Sequence, residues 1–282
     1  MDGGTDAIQV AATSTVDDPL AEAIERQRRS FAAQQAPTTL RAAFAALGER
    51  WEADGLGIDD ATAARIERIG LLRKRLGWLR RSAGRSYHRC RLWNFEVGDF
   101  PPSVPNAAAA TARRRAVRSE LIAFGRELPK HLAAGRNLVI FGPSGSGKDH
   151  LLYAMARHAL AVGTIVHWIN GRELFSQFRD AMDRRGVSEI GIVERYARAP
   201  LLVVSDPLPA NGDALTRYEA DMLYRILEER ATAGRPTWAS LNISDGEDGR
   251  RLGVPSWDRL KRGALLLFCY WPSFRQTWKE IT

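Results

Sequence analysis

The 282-residue chain is poor in the residues that build metal centres and disulfide frameworks: it has two cysteines, Cys90 and Cys269, and five histidines. Two thiols beside aromatic or basic neighbours, with no C-x-x-C, read as reduced packing residues, so zinc chemistry is not expected. Long apolar runs are lacking too. None reaches the ~18 residues of a bilayer span. The acidic start MDGGTDAIQV lacks the charged-then-apolar layout of a signal peptide. A cytoplasmic location without membrane contact is therefore expected.

Acids are scarce in one stretch. Between Arg65 and Arg91 stands a single acid, Glu67, among cations that include Arg73, Lys74, Arg75, Arg80 and Arg81. Trp78, Tyr87 and Trp93 are interleaved with them. Cations track phosphates and aromatic faces accept bases, so this composition suits a single strand or a duplex backbone, with single-stranded DNA the expected partner. A basic amphipathic helix docked on an acidic protein explains it equally well. The whole chain carries a formal net charge of +8, which favours a polyanionic partner.

Hydrophobic residues make up 45% of the chain, enough for one core of roughly 150–200 residues plus an appendage. Residues 1–19 are small, polar and acidic and read as a disordered tail. Residues 20–100 read as a helical, basic module that engages a partner or DNA. Its helices are expected at 20–35, at 39–53 and from Asp59–Asp60 onward, where Ile66, Ile69, Leu72, Leu76 and Leu79 keep helical spacing. Pro101, Pro102 and Pro105 mark a linker, and an Ala/Arg-rich helix is expected over about 106–133. From there to residue 282, apolar strands alternate with helices. The expected strands lie at 138–141, 164–169, 201–205, 237–243 and 264–270. That alternation predicts an α/β core, a parallel sheet covered by helices on both faces.

The first of these strands runs into Gly142-Pro143-Ser144-Gly145-Ser146-Gly147-Lys148, and a helix opening with Asp149 and His150 follows. This is the phosphate-loop pattern G-x-x-x-x-G-K in the strand-to-helix setting that its mechanism requires. Glycines let backbone N–H groups turn toward phosphates, the helix start adds partial positive charge, and Lys148 neutralises β/γ oxygens. The expected ligands are ATP and Mg²⁺. One position departs from the pattern: Asp149 stands where Ser or Thr usually follows the lysine.

A phosphate loop also needs an acid at the end of a neighbouring strand. The run Leu201-Leu-Val-Val-Ser205-Asp206 supplies one, but Ser205 holds the place of the usual metal-binding acid. The two departures complement each other, since both positions ordinarily face the same ion. Asp149 and Ser205 are expected to exchange roles, so that Asp149, Ser205 and Asp206 surround Mg²⁺. Without a cation, two unit charges about 5 Å apart repel by about 3 kcal/mol at an effective dielectric of about 20. Asp206 is the candidate base or water-orienting group. Asn242, ending the strand TWASLNI, is a candidate to orient the same water. Arg259 is a candidate arginine finger toward a neighbouring subunit, its plain alternative being a surface ion pair to Asp258.

In order along residues 87–275, the motifs YHRCRLWNFEV, GPSGSGKDHLL, LLVVSD, GRPTWASLNIS and WDRLKRGALLLFCYWPSFR resemble the DnaC/IstB-like group of AAA+ ATPases. That resemblance implies an αβα P-loop core in which Gly142–Lys148 is Walker A, Ser205-Asp206 is Walker B and Asn242 is sensor 1. Arg259 falls on the arginine-finger position and Arg275 near the C-terminal arginine. It further implies ATP hydrolysis, ATP-dependent homo-oligomers and action on DNA beside a replicative helicase or a transposase. Three readings follow: a replicative-helicase loader, a transposition helper on target DNA, and a nucleotide-gated adaptor with little turnover. The departures at 149 and 205 bear on hydrolysis rather than on fold.

Overall fold

In a computed structural model, residues 60–183, 188–209, 211–243 and 248–274 are described. The expected tail at 1–19, the helices at 20–35 and 39–53, and Arg275 lie outside them. Chain contacts divide the protein into two units, 1–67 and 68–282. The described part of the first unit is the opening of helix α1 (Asp60–Ala83).

In the second unit, a 3-10 turn (Arg85–Tyr87) is followed by α2 (Ala107–Arg126), α3 (Leu128–Ala133), β1 (Leu138–Phe141), α4 (Lys148–Ala161) and β2 (Val166–Asn170). Then come α5 (Gly171–Asp183), α6 (Glu189–Ala197), β3 (Leu201–Ser205), α7 (Arg217–Thr232) and β4 (Thr237–Leu241). A 3-10 turn (Asp248–Leu252), α8 (Val254–Lys261) and β5 (Leu265–Phe268) complete the order. The five strands form one sheet in the order β2-β3-β4-β1-β5, every described pairing parallel. Among the described helices, none is long and apolar enough to cross a membrane.

Alternation along each strand distributes the core. Leu138, Ile140, Leu201, Val203 and Trp238 point to one face, where they meet Leu121 and Phe124 of α2 and Leu151 and Met155 of α4. Val139, Phe141, Leu202, Val204 and Ala239 point to the other, against Phe178, Ile192, Ile226 and Trp257 of α5 to α8. Each buried Leu, Ile, Val or Phe contributes about 1.5–3 kcal/mol of transfer free energy, so two covered faces suit strands that are mainly apolar. Leu79 and Cys90 are buried on the first face, with Leu72 and Leu76 packed partly against it. Cys90 and Cys269 are free, buried thiols.

The expected single helix over 106–133 is two. Glu127 leaves helical geometry (φ −107°, ψ 19°) between α2 and α3. The cause is Pro129, which lacks an N–H and whose ring clashes with the carbonyl four residues earlier. The segment between Ile243 and α8, expected as a plain loop, contains the 3-10 turn Asp248–Leu252.

Two polar devices fix the edge of the sheet where its strands begin. Arg230 is fully buried. It donates to Thr237 Oγ1 (2.8 Å) and to the carbonyls of Tyr196 (2.8 Å), Ala197 (3.3 Å), Ala199 (2.6 Å) and Pro236. Asn137, just ahead of β1, accepts from the Thr237 amide (2.7 Å) and donates to the Arg259 and Leu260 carbonyls of α8 (both 3.0 Å).

Candidate phosphate-binding site

Parallel strands place the residues that follow β1, β3 and β4 on one edge, the usual location of ligands in such sheets. Here that edge carries the glycine loop, Asp206 and Asn242. Gly142, Gly145 and Gly147 all have positive φ (148°, 80° and 87°), the conformations for which glycine is the default residue. At Gly142 a side chain is excluded outright, since a Cβ would lie 2.6 Å from the Cys269 carbonyl oxygen. The segment after β5 ties the loop down: Trp271 Nε1 donates to the Ser146 carbonyl (2.9 Å) and the Phe274 amide to that of Gly145 (3.0 Å). Lys148 Nζ reaches back to the Pro143 carbonyl (2.8 Å).

The loop borders a cavity of about 730 Å³ lined by Ser144, Lys148, Asp149, Asp206, Asn242 and others. That volume lies within the about 300–1,000 Å³ of small-molecule sites. Phe95, buried, and Phe274 form its wall beside Gly147. His150 also lines it, but its Nε2 pairs with the Arg91 carbonyl (2.9 Å) and its ring meets Phe95 edge-on. Burial lowers its proton affinity, opposed by that backbone bond.

Asp149 and Ser205, distant by 56 positions in the chain, are in contact. Ser205 Oγ donates to Asp149 Oδ1 (3.0 Å), Ser240 Oγ donates to the same oxygen (2.5 Å), and Tyr87 OH donates to Oδ2 (3.1 Å). Asp206 stands beside this group in the left-handed region (φ 47°), a sparsely populated conformation for a non-glycine residue that clusters at functional sites. Its amide is held by the Ser240 carbonyl (3.0 Å) and hydroxyl (3.2 Å). Asn242 Nδ2 donates to Asp206 Oδ2 at 2.6 Å. Asp206 Oδ1 is buried without a hydrogen-bond partner. Burial, first, and the negative charge of Asp149, second, raise the Asp206 pKa, while Lys148 and Arg172 pull it down.

The donor set suits a hard divalent cation shared with phosphate: two carboxylates, one with an unsatisfied buried oxygen, and a serine hydroxyl. Magnesium is typically held by one or two carboxylates plus substrate phosphates rather than by a full protein cage. Among the described residues, no group of three or more His, Cys, Asp or Glu forms such a cage.

Arg259 is outside the cavity lining, on α8. Its partner is Glu228 of α7, not Asp258, which pairs instead with Lys261 at 2.8 Å. That pair raises the Arg259 pKa. Tyr87, Ser240, Arg172 and Arg251 also line the cavity, and no motif in the sequence marks them as site residues. Arg172 owes its place to Gly171: a Cβ there would lie 2.2 Å from Pro207 Cα, so only glycine lets α5 begin against the Asp206 loop. Of the basic stretch, Arg73, Lys74, Arg80 and Arg81 are exposed, whereas Arg75 is half-buried and bonded to the Gly163 carbonyl (2.9 Å). Trp78 (63% exposed) and Trp93 (75%) face solvent.

Comparisons with known proteins agree with this geometry. Residues 128–236 match the family described as IstB-like ATP binding protein. The chain is similar to the replicative helicase loader DnaC of Escherichia coli strain K12, 26% identical over 140 residues, which cover 49% of this chain and 56% of that one. The same figures hold for DnaC of Shigella flexneri. The match spans about half the length of these curated relatives. The crystal structure of the DnaC helicase loader superposes with a TM-score of 0.52 at 17% identity, covering 66% of this chain and 99% of that one. The family match spans the glycine loop and the first three strands of the parallel sheet, so over residues 128–236 the chain is similar to IstB-like ATP binding proteins, and its fold is similar to that of the DnaC helicase loader.

Proposed function

We propose that the protein binds ATP with Mg²⁺ at this cavity and acts on DNA as a loader of a replicative helicase. The observation that carries the reading is the meeting of Lys148, Asp149, Ser205, Asp206 and Asn242 at one mouth of the sheet, brought together from three separate motifs. The loop amides and Lys148 bind the phosphates. Asp149, Ser205 and Asp206 are the residues that would hold Mg²⁺, which supplies charge neutralisation on the phosphate oxygens. Asp206, its pKa raised by burial and by Asp149, would orient the attacking water beside its unpartnered Oδ1. Asn242 fixes the other carboxylate oxygen, so the acceptor faces one way. Arg259 acts on a neighbouring subunit's nucleotide in an ATP-dependent homo-oligomer, after giving up Glu228. The exposed arginines of α1 and the two solvent-facing tryptophans receive single-stranded DNA.

The likeness to DnaC supports the helicase as partner. The IstB-like family match supports a second reading, a transposition helper that binds duplex target DNA beside a transposase. One experiment separates them: binding of single-stranded and duplex DNA with ATP, with ADP and without nucleotide, in parallel with ATP turnover. A loader shows ATP-stimulated, salt-sensitive preference for single strands. Duplex preference favours the transposition helper. ATP uptake with background turnover and unaltered DNA binding favours the nucleotide-gated adaptor.

A further inference from the structure

We infer that Tyr87 is a positioning residue for Asp149 and couples the nucleotide site to the basic segment ahead of it. The inference rests on the nucleotide reading above and deepens it by naming the contact through which occupancy is transmitted. Both oxygens of the Asp149 carboxylate are engaged by hydroxyls of the protein, Oδ1 by Ser205 and Ser240 and Oδ2 by Tyr87. The three donors are not equally anchored. Ser205 belongs to β3 and Ser240 to β4, each held in the parallel ladder. Tyr87 ends a three-residue 3-10 turn, reached from α1 through Gly84, and 3-10 turns have the poorer hydrogen-bond geometry.

Tyr87 is oriented by ring contacts, and its own amide makes a long bond to the Gly84 carbonyl (3.4 Å). Its ring lies on Tyr153 of α4 (centroids 6.2 Å apart, planes 30° apart) and 6.4 Å from Trp168 of β2. Its carbonyl accepts from the Cys90 amide (2.9 Å). The turn therefore stands between the exposed Arg80 and Arg81 on one side and the exposed Arg89 and Trp93 on the other.

A carboxylate oxygen that turns to a cation loses the hydroxyl hydrogen pointed at it, because a donor hydrogen and a cation compete for the same lone pairs. Tyr87, on the least anchored of the three backbones, is the donor that yields. Release of its hydroxyl frees the turn, and the neighbouring cations and Trp93 then sample new positions. While the Tyr87–Asp149 hydrogen bond is made, the phenol screens Asp149 and holds the segment against α4.

The test is hydrogen exchange on the full-length protein, apo, with Mg–ATP and with ATP in EDTA, alongside uptake of a fluorescent ATP analogue. Residues 84–94 are expected to exchange several-fold faster with Mg–ATP, while α2 stays unchanged. Tyr87→Phe keeps the ring and removes only the hydroxyl; it is expected to exchange fast without ligand and to gain nothing on loading. It is also expected to take up nucleotide at a lower magnesium midpoint. Asp149→Asn gives a second route: thermal stabilities of the two single variants and the double variant are expected to be non-additive. Saturable uptake with residues 84–94 unmoved overturns the coupling alone. Additive stabilities overturn the contact, and absence of uptake overturns the nucleotide reading and the coupling together.

Discussion

The two ends of the sheet each bury charge, and they treat it in opposite ways. Where the strands begin, Arg230 has carbonyls and a hydroxyl around its guanidinium, and every one of its nitrogens donates. Burial, reinforced by Arg235, pulls its proton affinity down, yet the cage returns in hydrogen bonds what desolvation costs. Where the strands end, Asp149 and Asp206 crowd together, and Asp206 keeps one buried oxygen with no partner. A buried charge that is fully satisfied belongs to the scaffold. One left incompletely satisfied at the mouth of a cavity is prepared for something that arrives from outside.

Mutations at the two ends sharpen this contrast. The largest effect is expected from Asp206→Asn, which lowers ATP turnover by about 10²–10⁴-fold while labelled ATP is still taken up; an unchanged rate removes Asp206 from the reaction. Arg230→Met strands several carbonyls and is expected to cost about 3 kcal/mol of stability. Chemical denaturation reads that loss, and nucleotide uptake by the folded fraction stays intact. If Arg230→Met weakened uptake without lowering stability, the two ends would have exchanged roles. Lys148→Ala is expected to weaken ATP uptake by about 30-fold, the value of a charge-assisted hydrogen bond, with little change in melting. Smallest is the paired change Arg80→Ala and Arg81→Ala. It is expected to flatten the salt dependence of single-strand binding by about 1.4, at about 0.7 per phosphate contact.

The motifs were legible wherever function and local sequence coincide. The glycine loop, the apolar strand ending in Asp206 and the strand running to Asn242 are each continuous in the chain, and their order announced the parallel sheet. The proximity of Asp149 and Ser205 could be read from the complementarity of their two departures. The third and fourth members of that cluster could not. Ser240 is one small residue in an apolar strand, and Tyr87 sits in a segment whose arginines and tryptophans suggest a solvent-facing surface. The fold turns the tyrosine inward and leaves both tryptophans outside. Nothing in spacing or composition separates these aromatics; only their neighbours in space do. Arg172 and Arg251 escaped for the same reason, since the start of α5 and the turn before α8 reach the cavity through tertiary packing. The break at Glu127 was visible in Pro129 and was overridden by the alanine-rich pattern around it.

Asn137 has a mechanical consequence. One amide side chain splices the backbone of the helix that bears Arg259 to the first residue of β4, directly ahead of β1. A displacement of that helix is therefore delivered to the roots of two strands whose tips carry Gly142 and Asn242. One amide side chain thus makes a rigid lever between that helix and the glycine loop.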